Sequence, residues 1–353
     1  MSGELLAGAV IPVKSLYRPW YDRLLVFGPL GAALGLGALA SLSPELFVGV
    51  VLVDIWLFAS PHVIATYTRI GCDGTHIKKH WVLIFLLPPI VLVLVTMTAL
   101  AYELGGLFTL YFFAQAYHVT RQSFGISRAY SRADPHAAGT DRLAEGLIYL
   151  LPAWGLLHRC AEASSTFYGH ALHLPEVSPV LANAAGAVAA VACVGWLSRQ
   201  IRLAWAGQLN TGHSLFVASH LLVNAIAYVW VTDITLGWLV VNIWHNLQYL
   251  LFVWMQNMRR ETQLSGRLGE PLKNAGKYLA ICLVVGIAMY EALNVAGRQL
   301  MWLGLPAVFI LHFTVNFHHY LVDGVIWKRR KRVAKPQGLA TRLRRFQITP
   351  STR

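Results

Sequence analysis

Apolar residues fall into ten long runs along the chain, and polar or charged segments separate each run from the next. A helix rises about 1.5 Å per residue, so about 20 apolar residues cross a hydrocarbon core of about 30 Å. The pattern therefore predicts an all-α fold, a polytopic integral membrane bundle of about ten transmembrane helices. The predicted helices cover residues 24–42, 46–69, 81–101, 104–125, 143–160, 178–198, 213–231, 235–256, 277–296 and 303–327.

The composition supports this prediction. Hydrophobic residues make up 56% of the chain and charged residues only 13%, whereas soluble proteins carry about 25% charged residues. The twelve Trp and fourteen Tyr residues suit the aromatic belts that form at the two membrane–water interfaces. The lipid bilayer is therefore an expected partner of this chain.

Positive charge is distributed unevenly. If the N-terminus is cytoplasmic, successive loops lie alternately on the outer and the cytoplasmic side of the membrane. The cytoplasmic segments then contain 27 of the 29 Lys and Arg residues, all except Arg159 and Arg298. Because cytoplasmic loops are enriched in these residues, we expect a multi-pass protein of the inner (plasma) membrane with both termini in the cytoplasm. The net charge of +13 indicates no nucleic-acid partner, since ten of the cations follow Trp327, where anionic headgroups attract them.

The domain organisation follows from the same pattern. No loop is long enough to fold alone, so the sequence predicts one transmembrane bundle over residues 24–327. Residues 1–23 are predicted to be an interfacial N-terminal segment, and residues 328–353 a basic cytoplasmic tail. The four cysteines form no CxxC pair, so neither a disulfide framework nor a thiolate metal site is expected.

Histidines occur at one depth in five of the predicted helices, in the cytoplasmic half. A single intramembrane histidine can serve as a helix–helix hydrogen bond, but polar residues at this depth usually face a bundle interior or mark function. Neutral imidazole is the commonest metal ligand in proteins. The convergence therefore favours a metal site, and the predicted ligands are His62, His118, His220, His245, His318 and His319.

Four of these five helices, those of His118, His220, His245 and His319, place another polar residue on the histidine face, one turn away. Such neighbours can fix the tautomer of a ligand. The predicted catalytic or proton-handling groups are Asp54, Gln122 and Asp323, and the groups predicted to orient ligands are Asn242, Gln248, Tyr249 and Asn316. His318 and His319 point about 100° apart on their helix, and the stripe that contains Asn316 and Asp323 favours His319.

The residue types also limit the chemistry. The chain has no H-E-x-x-H string, which a membrane zinc protease would carry, and too few intramembrane carboxylates for a ferritin-like di-iron site. Imidazole sites without Cys suit iron, copper or zinc. We expect a non-haem metal oxygenase or oxidoreductase, with iron as the first choice and copper as the second. It would use dioxygen, with or without a redox partner, on a lipid-soluble substrate such as a carotenoid, an isoprenoid or a fatty acyl lipid.

Two other classes stay open. A b-type haem cytochrome needs two histidines on facing helices. Any two of His62, His118, His220 and His245 could serve, although the other histidines would then have no role. A transporter could use intramembrane His and Asp residues, but the internal repeats common in transporters are not visible here. No residue pattern indicates where a substrate binds.

Four short histidine-containing boxes resemble those of the Brp/Blh-type membrane β-carotene dioxygenases. The boxes are Ser60-Pro61-His62, the region from Tyr117-His118 to Phe124-Gly125, Trp244-His245-Asn246-Leu247-Gln248-Tyr249, and Phe317-His318-His319-Tyr320-Leu321-Val322-Asp323. The chain has Thr66 and Tyr67 where that family has an Asp, and the third box lacks a second His. The resemblance implies a many-helix membrane fold with an iron held by histidines from separate helices, and it places His318 in the ligand position of the last box.

Overall fold

The computed structural model describes residues 16–71, 74–133, 141–162, 166–258 and 274–327. Most of the predicted N-terminal segment, residues 1–15, and the whole predicted tail, residues 328–353, lie outside the described residues. The predicted bundle over residues 24–327 is largely within them.

Long helices account for nearly all of the described chain. Helix α1 is Pro19–Ala40. Helix α2 is continuous and has three parts, Pro44–Val53, a π-helical turn at Asp54–Ala59, and Ser60–Gly71. Helix α3 is the short Gly74–Lys79. A π-helical segment, Val82–Leu86, leads into Leu87–Ala133, and Glu103 interrupts that stretch with a φ of 56°. We call residues 82–102 α4 and residues 104–133 α5.

The second half of the chain continues in the same way. Helix α6 is Arg142–Ala161, α7 is Pro179–Trp205, and α8 is Thr211–Ala225 followed by a π-helical Ile226–Trp230. Helix α9 is Ile234–Met258, α10 is Ala275–Gln299, a 3₁₀ turn is Met301–Leu303, and α11 is Ala307–Ile326. A small antiparallel hairpin, β1 Thr166–Phe167 with β2 His170–Ala171, lies between α6 and α7.

The helix starts follow from the local sequence. A side-chain oxygen at the residue before the helix accepts a backbone N–H of the first turn at Ser43, Asp141, Ser178, Asn210 and Asn274. Such caps satisfy N–H groups that have no partner within the helix. Proline follows the cap directly in α2 and α7, where its missing N–H costs nothing.

Within the described ranges, seven helical stretches are long and apolar enough to cross a membrane: Pro19–Ala40, Pro44–Ile70, Val82–Ala133, Pro179–Trp205, Thr211–Trp230, Ile234–Met258 and Ala275–Gln299. The prediction of an all-α membrane bundle is confirmed at this level. The count of ten spans and the orientation stay predictions.

The bundle has an inner group of four helices, α2, α5, α9 and α11. Helix α9 is the most buried and contacts α1, α2, α5 and α8, while α11 packs against α5, α2 and α10. Helices α7 and α10 lie at the periphery and expose apolar residues such as Val191 and Val284. The inner four helices therefore define the interior in which the polar residues are found.

Candidate metal centre

Four imidazoles from the four inner helices meet in the interior of the bundle. Helix α2 carries His62, α5 carries His118, α9 carries His245 and α11 carries His319, and all four side chains are buried. Five of the six pairs have ring centroids 4.6 to 6.0 Å apart. The structure thus brings together four of the six histidines that the sequence predicted as ligands.

The nitrogen atoms of these rings also converge. One potential ligand atom from each of His62, His118 and His245 lies within 4.8 Å of the other two, and the same holds for His118, His319 and Asp323. The Nε2 atoms of His62 and His319 are 2.8 Å apart. Two nitrogens bound to one tetrahedral ion at about 2.0–2.1 Å would be about 3.3 Å apart. A small adjustment of the rings would therefore suffice.

Several nitrogens of the cluster have no hydrogen-bond partner among the described residues. They are Nδ1 of His62, Nε2 of His245 and Nδ1 of His319, and all are buried. A buried polar atom that is left unpaired costs about 1–3 kcal/mol. A metal ion would satisfy such an atom at His245, because it binds the lone pair of a neutral imidazole nitrogen.

A polar layer lies one helical turn from the imidazoles. The residues four positions after the four histidines are Thr66, Gln122, Tyr249 and Asp323. Oδ1 of Asp323 accepts hydrogen bonds from the hydroxyls of Tyr249 at 2.7 Å and Thr66 at 2.8 Å, and Gln122 donates its amide to Oδ2. The indole of Trp327 donates to the Tyr249 hydroxyl at 3.2 Å. Asp323 therefore joins all four inner helices in one layer.

Gln122 connects this layer to the imidazoles. Its Nε2 lies 3.2 Å from Nε2 of His118 and also donates to Asp323. An amide nitrogen can only donate, so Nε2 of His118 must accept and must carry its lone pair. The hydrogen bond favours the tautomer in which this nitrogen carries no proton, and a metal ion bound at Nε2 would take the place of the Gln122 amide on the same lone pair.

A second polar network lies on the N-terminal side of the imidazoles. Asn242 donates to Oδ2 of Asp54 at 2.5 Å, Asn246 donates to Oδ1 at 3.2 Å, and Gln115 donates to Oδ1 of Asn242 at 3.0 Å. Asp54 begins the π-helical turn of α2 and is buried. The predicted residues Asp54 and Asn242 thus form a contact with each other rather than with an imidazole.

The two carboxylates give the site its electrostatic character. Neither Asp54 nor Asp323 forms an ion pair with Lys or Arg in the described part of the chain. A buried ionised carboxylate is costly without a compensating charge. A divalent cation held by four neutral imidazoles between the two carboxylates would balance both charges.

An aromatic wall covers one side of the cluster. The ring of Tyr320 stacks on His118 with centroids 4.2 Å apart, and Tyr111 stacks parallel to Tyr320 at 6.5 Å. Phe313 stacks on Tyr111 at 4.6 Å and contacts Phe108 at 5.2 Å. This wall follows α5 and α11 away from the imidazoles and gives the site apolar surroundings.

Two of the predicted ligands lie outside the cluster. Nε2 of His220 is 3.1 Å from the carbonyl oxygen of Ile148, and its Nδ1 is 3.3 Å from the amide of Asn224. His318 contacts Tyr67 and a backbone carbonyl of α4. Both nitrogens of each ring are engaged in hydrogen bonds, so neither ring has a free lone pair for the metal that the sequence assigned to it.

Two residues predicted to orient ligands are also placed elsewhere. Asn316 accepts a hydrogen bond from the Tyr290 hydroxyl at 3.2 Å, at the contact of α10 and α11. Gln248 is buried, but its Nε2 has no partner among the described residues. Tyr249, in contrast, lies in the Asp323 layer, one turn from His245.

Sequence reasoning missed Thr66, Asn246, Tyr320 and Trp327 as parts of the site. Thr66 could have been found, because it follows His62 by the same four positions that separate the other histidines from their polar neighbours. Tyr320 and Trp327 carry no such signal, since an aromatic residue on an apolar helix usually indicates a core or interface position.

No family model, curated protein or solved structure matches this chain. The resemblance to the Brp/Blh-type dioxygenases therefore stays a prediction, and the site is interpreted from its own geometry.

Proposed function

We propose that this protein is an integral membrane, non-haem metal oxidoreductase that acts on a lipid-soluble substrate, with iron as the metal and dioxygen as the oxidant. The observation that carries the proposal is the convergence of His62, His118, His245 and His319 from four helices. Four imidazoles without a thiolate suit a first-row transition metal.

Hydrogen bonds among the imidazoles alone explain their arrangement less well than a bound metal ion does. Neutral imidazoles satisfy each other only when a donor faces an acceptor. The Nε2 atoms of His62 and His319 can share one hydrogen bond, but Nε2 of His245 and Nδ1 of both His62 and His319 have no partner among the described residues. A shared cation would take the lone pairs of all the converging nitrogens. The uncompensated Asp54 and Asp323 favour the same interpretation.

The packing of the rings favours a non-haem metal. Bis-histidine haem ligation uses two rings on opposite faces of the macrocycle. Here each of His62, His118 and His319 lies within 6.0 Å of the other two, measured between ring centroids. A planar tetrapyrrole between any two of the rings would overlap the third.

The surrounding residues have distinct roles in this proposal. The bound metal would supply redox chemistry and an open position for dioxygen. Asp323 holds Gln122, which orients His118, and Asp54 holds the part of α9 next to His245 through Asn242 and Asn246. The wall of Tyr320, Tyr111 and Phe313 keeps water away and presents an apolar surface to a substrate that enters from the bilayer.

Metal analysis tests the proposal directly. The purified full-length protein, reconstituted anaerobically with Fe²⁺, is expected to retain about one iron ion per chain after desalting. Retention of less than about 0.2 ion per chain, or a Soret band in protein as isolated, would overturn it. Copper in place of iron would correct the metal identity, and oxygen uptake with isoprenoid or fatty acyl lipids would then test the reaction.

A matched pair of variants makes the test specific. His245→Ala removes a cluster imidazole, and we expect metal affinity to fall by at least about 10–100-fold. His220→Ala removes an equally buried imidazole that lies outside the cluster, so its metal content should equal that of the wild type. Equal retention in the two variants would show that the metal binds elsewhere.

We also propose ten spans, with both termini in the cytoplasm of a bacterial-type inner membrane. Glu103 divides the stretch Val82–Ala133 into two helices. Helices α6 and α11, whose polar residues lower their hydropathy, supply the remaining two spans. This arrangement places the long polar ends of α5 and α7 on the cytoplasmic side, where Arg128 and Arg202 are found.

A further inference from the structure

His318 lies next to a cluster histidine but faces away from the cluster. Its Nε2 is 2.7 Å from the carbonyl oxygen of Leu83, and its Nδ1 is 2.9 Å from the hydroxyl of Tyr67. A carbonyl oxygen can only accept, so Nε2 carries the proton, and Nδ1 of the neutral ring then accepts from the Tyr67 hydroxyl. The two partners thus fix one tautomer and one orientation of the ring.

The carbonyl of Leu83 needs this donor because of the local sequence. Leu83 lies in the π-helical segment Val82–Leu86, in which the N–H of Leu87 bonds to the carbonyl of Val82. In the same register the carbonyl of Leu83 would accept from residue 88, but Pro88 has no N–H. The oxygen is therefore left without a partner in its own helix, and His318 supplies the missing donor from α11.

The second partner ties His318 to the helix that carries a cluster histidine. Tyr67 follows Thr66, which binds Asp323, and both belong to the helix of His62. Helix α11 is therefore held against α4 and α2 through one side chain. Because neighbouring residues of a helix point about 100° apart, any rotation of α11 that releases His318 also turns His319 away from His62.

We propose that His318 is a positioning residue for the metal centre. By bonding to the Leu83 carbonyl and the Tyr67 hydroxyl, it fixes the rotation of α11 that directs the His319 ring at the other three imidazoles. This inference rests on the proposed metal function, and it assigns the two adjacent histidines different tasks. His319 binds the metal, and His318 holds the helix.

Cobalt binding provides the test, because the visible spectrum of Co²⁺ reports its coordination geometry. The full-length protein is titrated with Co²⁺ in nanodiscs, and affinity, spectrum and thermal unfolding are measured. We expect His318→Phe to weaken Co²⁺ binding about 10–100-fold and to change the spectrum. His318→Gln, whose amide can still donate to the Leu83 carbonyl, should recover part of the affinity, and Tyr67→Phe should give a smaller loss.

His312→Phe is the matched control. It makes the same substitution on the same helix and removes one interhelical hydrogen bond, from His312 to Asn294 of α10 at 2.9 Å, whereas His318→Phe removes two. We expect it to lower the unfolding temperature, by less than His318→Phe does, while it leaves the Co²⁺ affinity and spectrum unchanged. Unchanged binding in His318→Phe, or equal losses in the two variants, would overturn the positioning role.

Failure of the metal proposal is distinguishable from failure of this inference. If the wild type binds no Co²⁺, the metal function fails, and the inference is judged without metal by ¹⁵N NMR of histidine-labelled protein. The ring signals of His62 and His319 should then shift in His318→Phe and stay in place in His312→Phe. Unshifted signals in both variants would overturn it.

Discussion

Asp323 shows how much of the site depends on single polar atoms. Its two carboxylate oxygens accept hydrogen bonds from Thr66, Tyr249 and Gln122, which belong to three other helices. In a low-dielectric interior each such bond to a charged group is worth about 1.5–3 kcal/mol. The carboxylate therefore fixes the layer that orients His118, and a change in any one donor should affect both stability and the geometry of the imidazole cluster.

The hydroxyl of Tyr249 offers the sharpest test at this scale. Tyr249→Phe removes a donor to Asp323 and leaves the Trp327 indole without its acceptor, so we expect the free energy of unfolding to fall by about 1–3 kcal/mol. Tyr228→Phe is the control, because the buried Tyr228 hydroxyl has no partner among the described residues, and its removal should be neutral or stabilising. Thermal unfolding in detergent compares the two, and equal losses would contradict the assignment.

The choice between His318 and His319 illustrates what single residues reveal in a sequence. Helical phase favoured His319, because it shares a face with Asp323, and the structure places His319 in the cluster. His220 could not be excluded in this way, since its depth and its neighbour Asn224 look like those of the cluster histidines. Its actual partner is a backbone carbonyl of α6, and no sequence pattern indicates which backbone groups a side chain will meet.

At the scale of elements, the turn between α8 and α9 depends on one buried arginine. The guanidinium of Arg159, on α6, donates to the carbonyl oxygens of Ala227 at 3.2 Å, Thr232 at 3.1 Å and Val231. Ala227 lies in the π-helical end of α8, and Val231 and Thr232 follow it; carbonyls at a helix end lack N–H partners within the helix. Arg159 thus caps α8 and fixes the start of α9, the helix that carries His245.

Replacing this arginine by lysine should be costly although the charge is kept. Arg159→Lys substitutes a compact ammonium for a planar fork of donors, and we expect the free energy of unfolding to fall by about 2–3 kcal/mol. Arg128→Lys is the control, since Arg128 makes a half-exposed pair with Glu145 at 2.7 Å, which should be worth less than about 1 kcal/mol. Similar unfolding temperatures for the two variants would contradict a capping role.

The apolar runs in the sequence predicted the positions of the helices more accurately than the residues at which the helices end. Helix α5 continues to Ala133, beyond the predicted end at residue 125, because Ile126 and Tyr130 still pack into the core. The π-helical turns at Asp54–Ala59 and Val82–Leu86 could not be predicted, since a pattern with a period of 3.6 residues contains no sign of a wider turn. Both turns matter, because one begins at Asp54 and the other frees the carbonyl that binds His318.

At the scale of the whole molecule, the polar layer constrains the topology. In all four inner helices the residue four positions after the histidine lies in the Asp323 layer, so these helices run in the same direction. Parallel spans must be separated by an odd number of other spans. Between α2 and α5 lies one long helix, α4, besides the six-residue α3, which is too short to span. Three helices, α6 to α8, lie between α5 and α9, and one, α10, lies between α9 and α11. The proposed ten spans meet this condition, with α4 and α5 as separate spans and α6 as a span.

Cysteine labelling tests this count and the orientation together. In a background without native cysteines, Thr166→Cys in the hairpin and Gln208→Cys after α7 are both exposed sites. With ten spans and a cytoplasmic N-terminus, residue 166 lies outside and residue 208 lies in the cytoplasm. A membrane-impermeant maleimide should then label residue 166 in intact cells and residue 208 only after permeabilisation. Residue 208 is expected inside because the segment before it carries Arg199 and Arg202, and cytoplasmic segments are enriched in positive charge. The reverse pattern would invert the orientation. Labelling of both sites from one side would mean that α7 does not cross the membrane, and the three spans between α5 and α9 would have to be reassigned.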